Sequence, residues 1–207
     1  MELRGLYAIT DSDLLPADRL VETVSHAITG GAALVQYRDK TSPPQLRRAQ
    51  AIALQALCET RGVPLIINDD LDLAVHCGAA GIHLGRDDPD PAAARERLGP
   101  DAIIGVSCYA DLDRARAAAA AGADYLAFGR FFPSSTKPGA TPADPDLLRT
   151  ARQEFALPLC AIGGITTGNA PLLLEAGADL LAVIHGLFGQ PDVRAAAARF
   201  QALFREQ

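Results

Sequence analysis

Short apolar runs recur along the chain at 5–9, 34–37, 64–67, 81–84, 102–106, 125–128, 157–162 and 180–184. Runs of this length, bounded by polar residues, are expected to form strands. Between them lie longer stretches rich in Ala, Leu and Arg, such as 18–29, 44–60, 112–121 and 146–155, with apolar residues at helical spacing. One phrase joins helix to strand repeatedly: Gly31-Ala32-Ala33, Gly78-Ala79-Ala80, Gly122-Ala123-Asp124 and Gly177-Ala178-Asp179. A glycine there supplies the left-handed cap that turns a helix into the next element. Strand then helix, repeated eight times, predicts an α/β fold, a single-domain (β/α)8 TIM barrel over 1–207 with a last helix at 193–204 closing it. A doubly wound open sheet is the competing architecture. No Pro/Ser-rich linker or charge block divides the chain.

Both architectures gather function at the carboxyl ends of the strands, so the polar residues following each apolar run are the informative ones. After the second run, Gln36, Arg38 and Lys40 alternate with Tyr37 and Asp39. If extended geometry persists, period two puts the first three on one face, where two cations and an amide suit a diphosphate. The third run ends in Asn68-Asp69-Asp70 and the fourth in Arg86-Asp87-Asp88. Carboxylates from neighbouring strand ends are the hard oxygen ligands that Mg²⁺ takes while it also holds a phosphate. Asp70 also fits as the N-cap of a helix beginning at Leu71. Ser107 follows the fifth run. The sixth is followed by Ser134, Ser135, Thr136 and Lys137 in a hydroxyl-rich loop with a Gly/Pro hinge, which suits a phosphate-contacting flap. Gly163-Gly164 and Ile184-His185-Gly186 end the last two strands, a frequent phosphate position in barrels. His83, inside the fourth run, is expected to be packed or hydrogen-bonded.

Composition narrows the chemistry. The 207 residues are 49% hydrophobic with a net charge of −6, and no dense basic cluster suggests a nucleic-acid footprint. Anionic substrates would need a local basic site. Of 19 basic residues only Lys40 and Lys137 are lysine, which marks both as candidates for work a guanidinium does poorly. Cys58, Cys77, Cys108 and Cys160 are too scattered for a zinc site and are expected to be reduced, buried thiols. With no signal-peptide pattern and no run near eighteen apolar residues, a cytoplasmic protein with no membrane partner is expected. No Ser/His/Asp relay or Cys/His pair is evident.

From Leu6-Tyr7-Ala8-Ile9-Thr10-Asp11 to the eighth strand end, the chain resembles the thiamine-phosphate synthase family. The most specific pieces are Gln36-Tyr37-Arg38-Asp39-Lys40, Ile67-Asn68-Asp69, Gly81-Ile82-His83-Leu84-Gly85 with Asp88, Thr136-Lys137 and Ala161-Ile162-Gly163-Gly164-Ile165. The resemblance implies small-molecule substrates: a pyrimidine-methyl diphosphate joined to a thiazole phosphate with loss of pyrophosphate. It assigns the pyrimidine diphosphate to Gln36, Arg38, Lys40, Asn68, Ser107 and Lys137, with Tyr37 and Asp39 in the same motif. It assigns Mg²⁺ to Asp69 and Asp88, and the thiazole phosphate to Ser134, Thr136, Gly164, Ile184 and His185, with Ser135 between them. Arg38, Lys40 and Lys137 would be the catalytic charge stabilisers. The chain departs from the family's commoner residues at Arg86, Tyr109, Arg130 and His185, where glutamine, histidine, proline and serine are usual.

Three rival readings keep parts of this pattern: a thiazole tautomerase-like protein without the coupling activity, a Schiff-base aldolase using Lys40 or Lys137, and a phosphate-ligand sensor on a barrel scaffold. The first should lack the diphosphate and metal set, the second needs a desolvated lysine, and the third has no use for paired carboxylates.

Overall fold

The computed structural model describes residues 3–133 and 143–205. Its eight parallel strands are β1 Gly5–Ile9, β2 Ala32–Tyr37, β3 Leu65–Asn68, β4 Gly81–Leu84, β5 Ile103–Tyr109, β6 Tyr125–Gly129, β7 Leu159–Ile162 and β8 Leu180–Val183. They pair in sequence order, and β1 pairs β8 (Gly5 with Leu180, Ala8 with Val183), so the sheet closes into a barrel. Closure excludes the open-sheet alternative. The helices outside are α1 Leu20–Thr29, α2 Pro44–Arg61, α3 Leu71–Cys77, α4 Pro91–Leu98, α5 Leu112–Ala120, α6 Asp146–Glu154, α7 Ala170–Glu175, α8 His185–Phe188 and α9 Val193–Leu203. The eighth strand is thus followed by two helices, of which α9 packs back on α1 and β1.

Strand alternation divides the core in two. Leu6, Ala8, Val35, Ile67, Phe128 and Leu181 face outward and pack under the helices. Tyr7, Ile9, Leu34, Ile66, Tyr125, Cys160 and Leu180 fill the barrel interior. Helix α2 shows the complementary stripe, burying Gln50, Ala51, Leu54 and Cys58 one turn apart. Cys58, Cys108 and Cys160 are buried free thiols, while Cys77 is only partly covered.

The recurring Gly-Ala phrase does two jobs. Gly31, Gly78, Gly122 and Gly177 all have positive φ, between 67° and 108°, as the turn out of each helix requires. Where an aspartate follows, it ties two strands together at the amino-terminal face. Asp124 Oδ2 accepts from Ile104 N at 2.7 Å and pairs with Arg95 at 2.7 Å; Asp179 Oδ2 accepts from Leu159 N and from Arg152, both at 2.8 Å. The same clamp therefore serves β5–β6 and β7–β8. Removing a charged acceptor that satisfies a strand N–H and a guanidinium costs about 2 kcal/mol, so Asp179→Ala lowers the free energy of unfolding by that amount in a urea titration. Activity of the remaining folded protein should be unchanged, since this face lies opposite the carboxyl ends; a loss of turnover without loss of stability would contradict the assignment.

Candidate active site

The carboxyl ends of the strands surround a cavity of about 490 Å³. Gln36, Arg38, Asn68, Ser107, Gly164, Ile184 and His185, all expected from sequence, line it together with Tyr7, His83, Tyr109, Arg130 and Gln190. Seven positions from five strand ends thus converge as the topology requires.

Arg38 is held rather than free. Its backbone N–H donates to Thr10 Oγ1 at 2.9 Å, Thr10 Oγ1 donates back to the Arg38 carbonyl at 3.3 Å, and the guanidinium lies 3.8 Å from Asp11 Oδ2. Thr10 and Asp11 are both buried at the end of β1. They aim a cation into the cavity mouth.

Lys40, Asp69 and Asp88 form a second group on the rim. Lys40 Nζ is 2.9 Å from Asp69 Oδ2, and Asp88 Oδ2 accepts from the Gly85 N–H at 2.6 Å. A point beside Gly85 lies 3.0 Å from Asp88 Oδ2, 4.0 Å from Asp69 Oδ1 and 3.9 Å from the Tyr109 hydroxyl, which links this group to the cavity. Burial works against ionisation of Asp69, but the Lys40 ammonium and hydrogen bonds with Asp88 and Asn68 outweigh it and hold the carboxyl below its ordinary range. Asp88 goes the other way: burial, then the adjacent Asp69, push its carboxyl up against the Gly85 hydrogen bond. Two carboxylates set this close want a proton or a cation between them. Among the described residues no three His, Cys, Asp or Glu gather at metal spacing, so any cation here would draw most of its oxygen shell from substrate and water.

Three other acidic residues near the strand ends serve as helix caps. Asp70, Asp90 and Asp111 cap α3, α4 and α5 by accepting from Leu73, Ala92 and Arg114 N–H groups. Asp69 and Asp88 cap nothing, which separates them from their neighbours. Asp69 also has φ of 61°, a backbone state that Asp and Asn adopt more easily than most residues.

Two expected contacts do not reach the cavity. Tyr37 ends β2 facing the helices, fully covered, and donates to Gln50 Oε1 on α2 at 2.6 Å. Alternation already forbids it the same face as Gln36 and Arg38. Asp39 is spent on its own loop, Oδ1 accepting from Thr41 N at 3.0 Å and Ser42 N at 2.9 Å. Burial opposes its charge, but these bonds keep its carboxyl below the ordinary range. The strand pattern stops at Tyr37, so Lys40 reaches Asp69 through a loop and not by alternation. Ser134, Ser135, Thr136 and Lys137 lie outside the described residues.

The glycine pair has a steric cause besides any ligand. A Cβ on Gly163 would lie 2.2 Å from Arg130 Cβ, and one on Gly164 2.3 Å from the Pro133 carbonyl. Both let the chain leaving β6 lie directly on β7. Two of the unusual residues explain each other: Arg86 sits over the Tyr109 ring at 4.9 Å, and Arg114 approaches the same ring at 5.9 Å. Arg114 further donates to the Ser107 and Gly85 carbonyls, both at 2.6 Å, binding the ends of β4 and β5 together. Cys160 lines the cavity, yet burial pushes its thiol far up and leaves it inert.

Sequence reading missed the cavity floor. Tyr7 on β1 and Tyr125 on β6 meet hydroxyl to hydroxyl at 2.9 Å, and His83 bridges Tyr125 and Ser107. The available signal was a polar ring at an inward-facing parity in each strand. His83 is hydrogen-bonded as expected, and His26 and His76 are exposed.

Comparison with known proteins identifies the family and the fold. The family described as "Thiamine monophosphate synthase" matches residues 6–187. The thiamine-phosphate synthase of Marinobacter nauticus is 55% identical over 202 residues, covering 97% of this chain and 90% of that protein. That of Thiobacillus denitrificans is also 55% identical, covering 97% and 94%. Thiamine phosphate pyrophosphorylase from Pyrococcus furiosus superposes with a TM-score of 0.89 at 34% identity, covering 99% of this chain and 96% of that one. A 3-hexulose-6-phosphate synthase shares the fold with a TM-score of 0.70 at 19% identity.

Proposed function

Because the chain belongs to the thiamine monophosphate synthase family, a family of transferases, we propose that it joins a 4-amino-2-methyl-5-(diphosphooxymethyl)pyrimidine to a thiazole phosphate, releasing pyrophosphate. The observation that carries this reading is the rim group of Lys40, Asp69 and Asp88 beside a cavity that Arg38 enters. That combination suits a leaving diphosphate next to a bound ring.

Heterolysis of the methylene C–O bond sends the electron pair to the diphosphate and leaves a methylene cation conjugated with the aminopyrimidine. The thiazole nitrogen then donates its lone pair to that carbon, so no side-chain nucleophile is needed. Arg38, fixed by Thr10 and Asp11, and Lys40 meet the negative charge that grows on the leaving group. Gln36, Asn68 and Ser107 orient the ring. Gly164, Ile184 and His185 border the part of the cavity suited to the second phosphate, and holding both partners removes most of the entropic barrier. The donor set fits Mg²⁺: two carboxylates on adjacent strand ends, one of them with its carboxyl pushed up by burial and by its acidic neighbour. Held by Asp69 and Asp88, the ion would neutralise diphosphate charge. Lys137 is a candidate for the same task. Among the helices described, none is long and apolar enough to cross a membrane, which is compatible with a cytoplasmic enzyme.

Lys40 is more than half exposed and paired with Asp69. That is the setting of a charge stabiliser, and it gives the Schiff-base reading no support. The test is coupling: with both substrates and Mg²⁺ the protein should release one pyrophosphate per thiamine phosphate formed, and chelation with EDTA should stop it. Absence of product with both substrates present would end this reading.

A further inference from the structure

The carboxyl end of β5 is irregular. Ser107 and Tyr109 oppose the successive residues Ala127 and Phe128, so β5 carries one extra residue, and Tyr109 takes a positive φ of 57°. The bulge re-aims a side chain: Phe128 packs under the helices, whereas Tyr109 opposite it lines the cavity. A left-handed backbone costs a residue with a Cβ about 1 to 2 kcal/mol. Here that strain brings a phenol to the rim.

Two cations hold the ring. Arg114, anchored by its 2.6 Å bonds to the Ser107 and Gly85 carbonyls, approaches the ring at 5.9 Å, and Arg86, exposed after β4, lies over it at 4.9 Å. An exposed cation on a ring face is worth about 0.5 to 1 kcal/mol, enough to bias where the ring sits without deciding the fold. The hydroxyl meets the carboxylate pair. From one point beside Gly85, Asp88 Oδ2 lies at 3.0 Å, the Tyr109 hydroxyl at 3.9 Å and Asp69 Oδ1 at 4.0 Å. Ionised carboxylates only accept, so the phenol is the donor of the three, and no described residue accepts from it. A diphosphate drawn to this rim by Arg38 and Lys40 presents oxygens that also only accept. It needs donors beside the carboxylates that repel it.

We infer that the Tyr109 hydroxyl donates a hydrogen bond to the leaving diphosphate, and that Arg86, acting through the ring, is the positioning residue that holds the phenol there. This deepens the proposed function and rests on it, because that reading sets the diphosphate over Asp69 and Asp88. Arg86 and Tyr109 are both departures from the family's commoner residues. With the usual glutamine at 86 there would be no cation to seat on the ring.

The test is calorimetric titration of inorganic pyrophosphate into the full-length protein with Mg²⁺, for wild type, Tyr109→Phe, Arg86→Gln and the double variant, each with a thermal melt. Tyr109→Phe keeps the ring and removes the donor, so pyrophosphate should bind about tenfold more weakly. Arg86→Gln should weaken it about threefold. In the Tyr109→Phe background Arg86→Gln should change nothing further, because no hydroxyl is left to position. A guanidinium that attracted the anion by charge alone would weaken binding by the same factor in both backgrounds, and that result would overturn the role given to Arg86. Wild-type affinity in a folded Tyr109→Phe protein overturns the inference and leaves the proposed function standing. Should Tyr109→Phe not fold, Tyr109→Leu takes its place with the same loss expected. A wild type that binds no pyrophosphate in the presence of Mg²⁺ overturns the proposed diphosphate site and this inference with it.

Discussion

Replacing Asp69 with asparagine should lower turnover about a hundredfold or more while changing folding stability by less than about 1 kcal/mol. Asparagine is the informative choice, because Asp69 sits at φ 61° and alanine there would add backbone strain that has nothing to do with charge. The substitution keeps the shape and removes the negative charge that pairs with Lys40 and faces Asp88. Lys40 would lose the partner that holds it over the rim, and the carboxylate pair would lose one of the two charges on which the proposed Mg²⁺ site depends. Steady-state rates across a Mg²⁺ series, with a thermal melt of the same sample, check both halves. A folded Asp69→Asn variant with wild-type rate and wild-type Mg²⁺ response would remove this residue from the machinery.

The largest loss of stability should come from Gly105→Ala. An added Cβ would lie 1.9 Å from Tyr125 Cζ and 2.2 Å from its hydroxyl. Tyr125 cannot step aside cheaply, since it is wholly buried and tied to Tyr7 and His83 on either side. Overpacking of this kind costs about 3 kcal/mol, which for a chain of this size lowers the melting temperature by roughly 10 °C. Differential scanning calorimetry measures it; a shift under about 2 °C would mean the barrel interior is more yielding than its packing suggests. One methyl group here tests the connection between fold and floor.

The parts of this enzyme that were legible in its sequence are those written locally. Helix ends carry their glycines at 31, 78, 122 and 177, and the strand-end polar residues Gln36, Arg38, Asn68 and Ser107 come together because each strand ends at the same rim. Asp70 could be set apart from Asp69 as a helix cap by spacing alone, and it caps α3. What was not legible depends on closure. Tyr7 and Tyr125 are 118 residues apart, and only a barrel that joins β1 to β8 turns both toward one interior. The bulge in β5, where Ser107 and Tyr109 oppose the successive residues Ala127 and Phe128, leaves no mark in an apolar count. Extending strand alternation beyond Tyr37 also failed, because Asp39 turns the chain with its own carboxylate before Lys40 is reached.

The site that emerges is an electrostatic rim over a hydrogen-bonding floor. In the proposed reaction the rim, Arg38, Lys40, Asp69 and Asp88, meets the charge of the leaving diphosphate. The most direct measurement of the rim is calorimetric titration of inorganic pyrophosphate into the protein with Mg²⁺ and again with EDTA. Mg²⁺ should tighten pyrophosphate binding by about tenfold or more, pyrophosphate should tighten Mg²⁺ by the same factor, and Asp69→Asn should abolish the coupling. Equal pyrophosphate affinity with and without the metal would contradict the account.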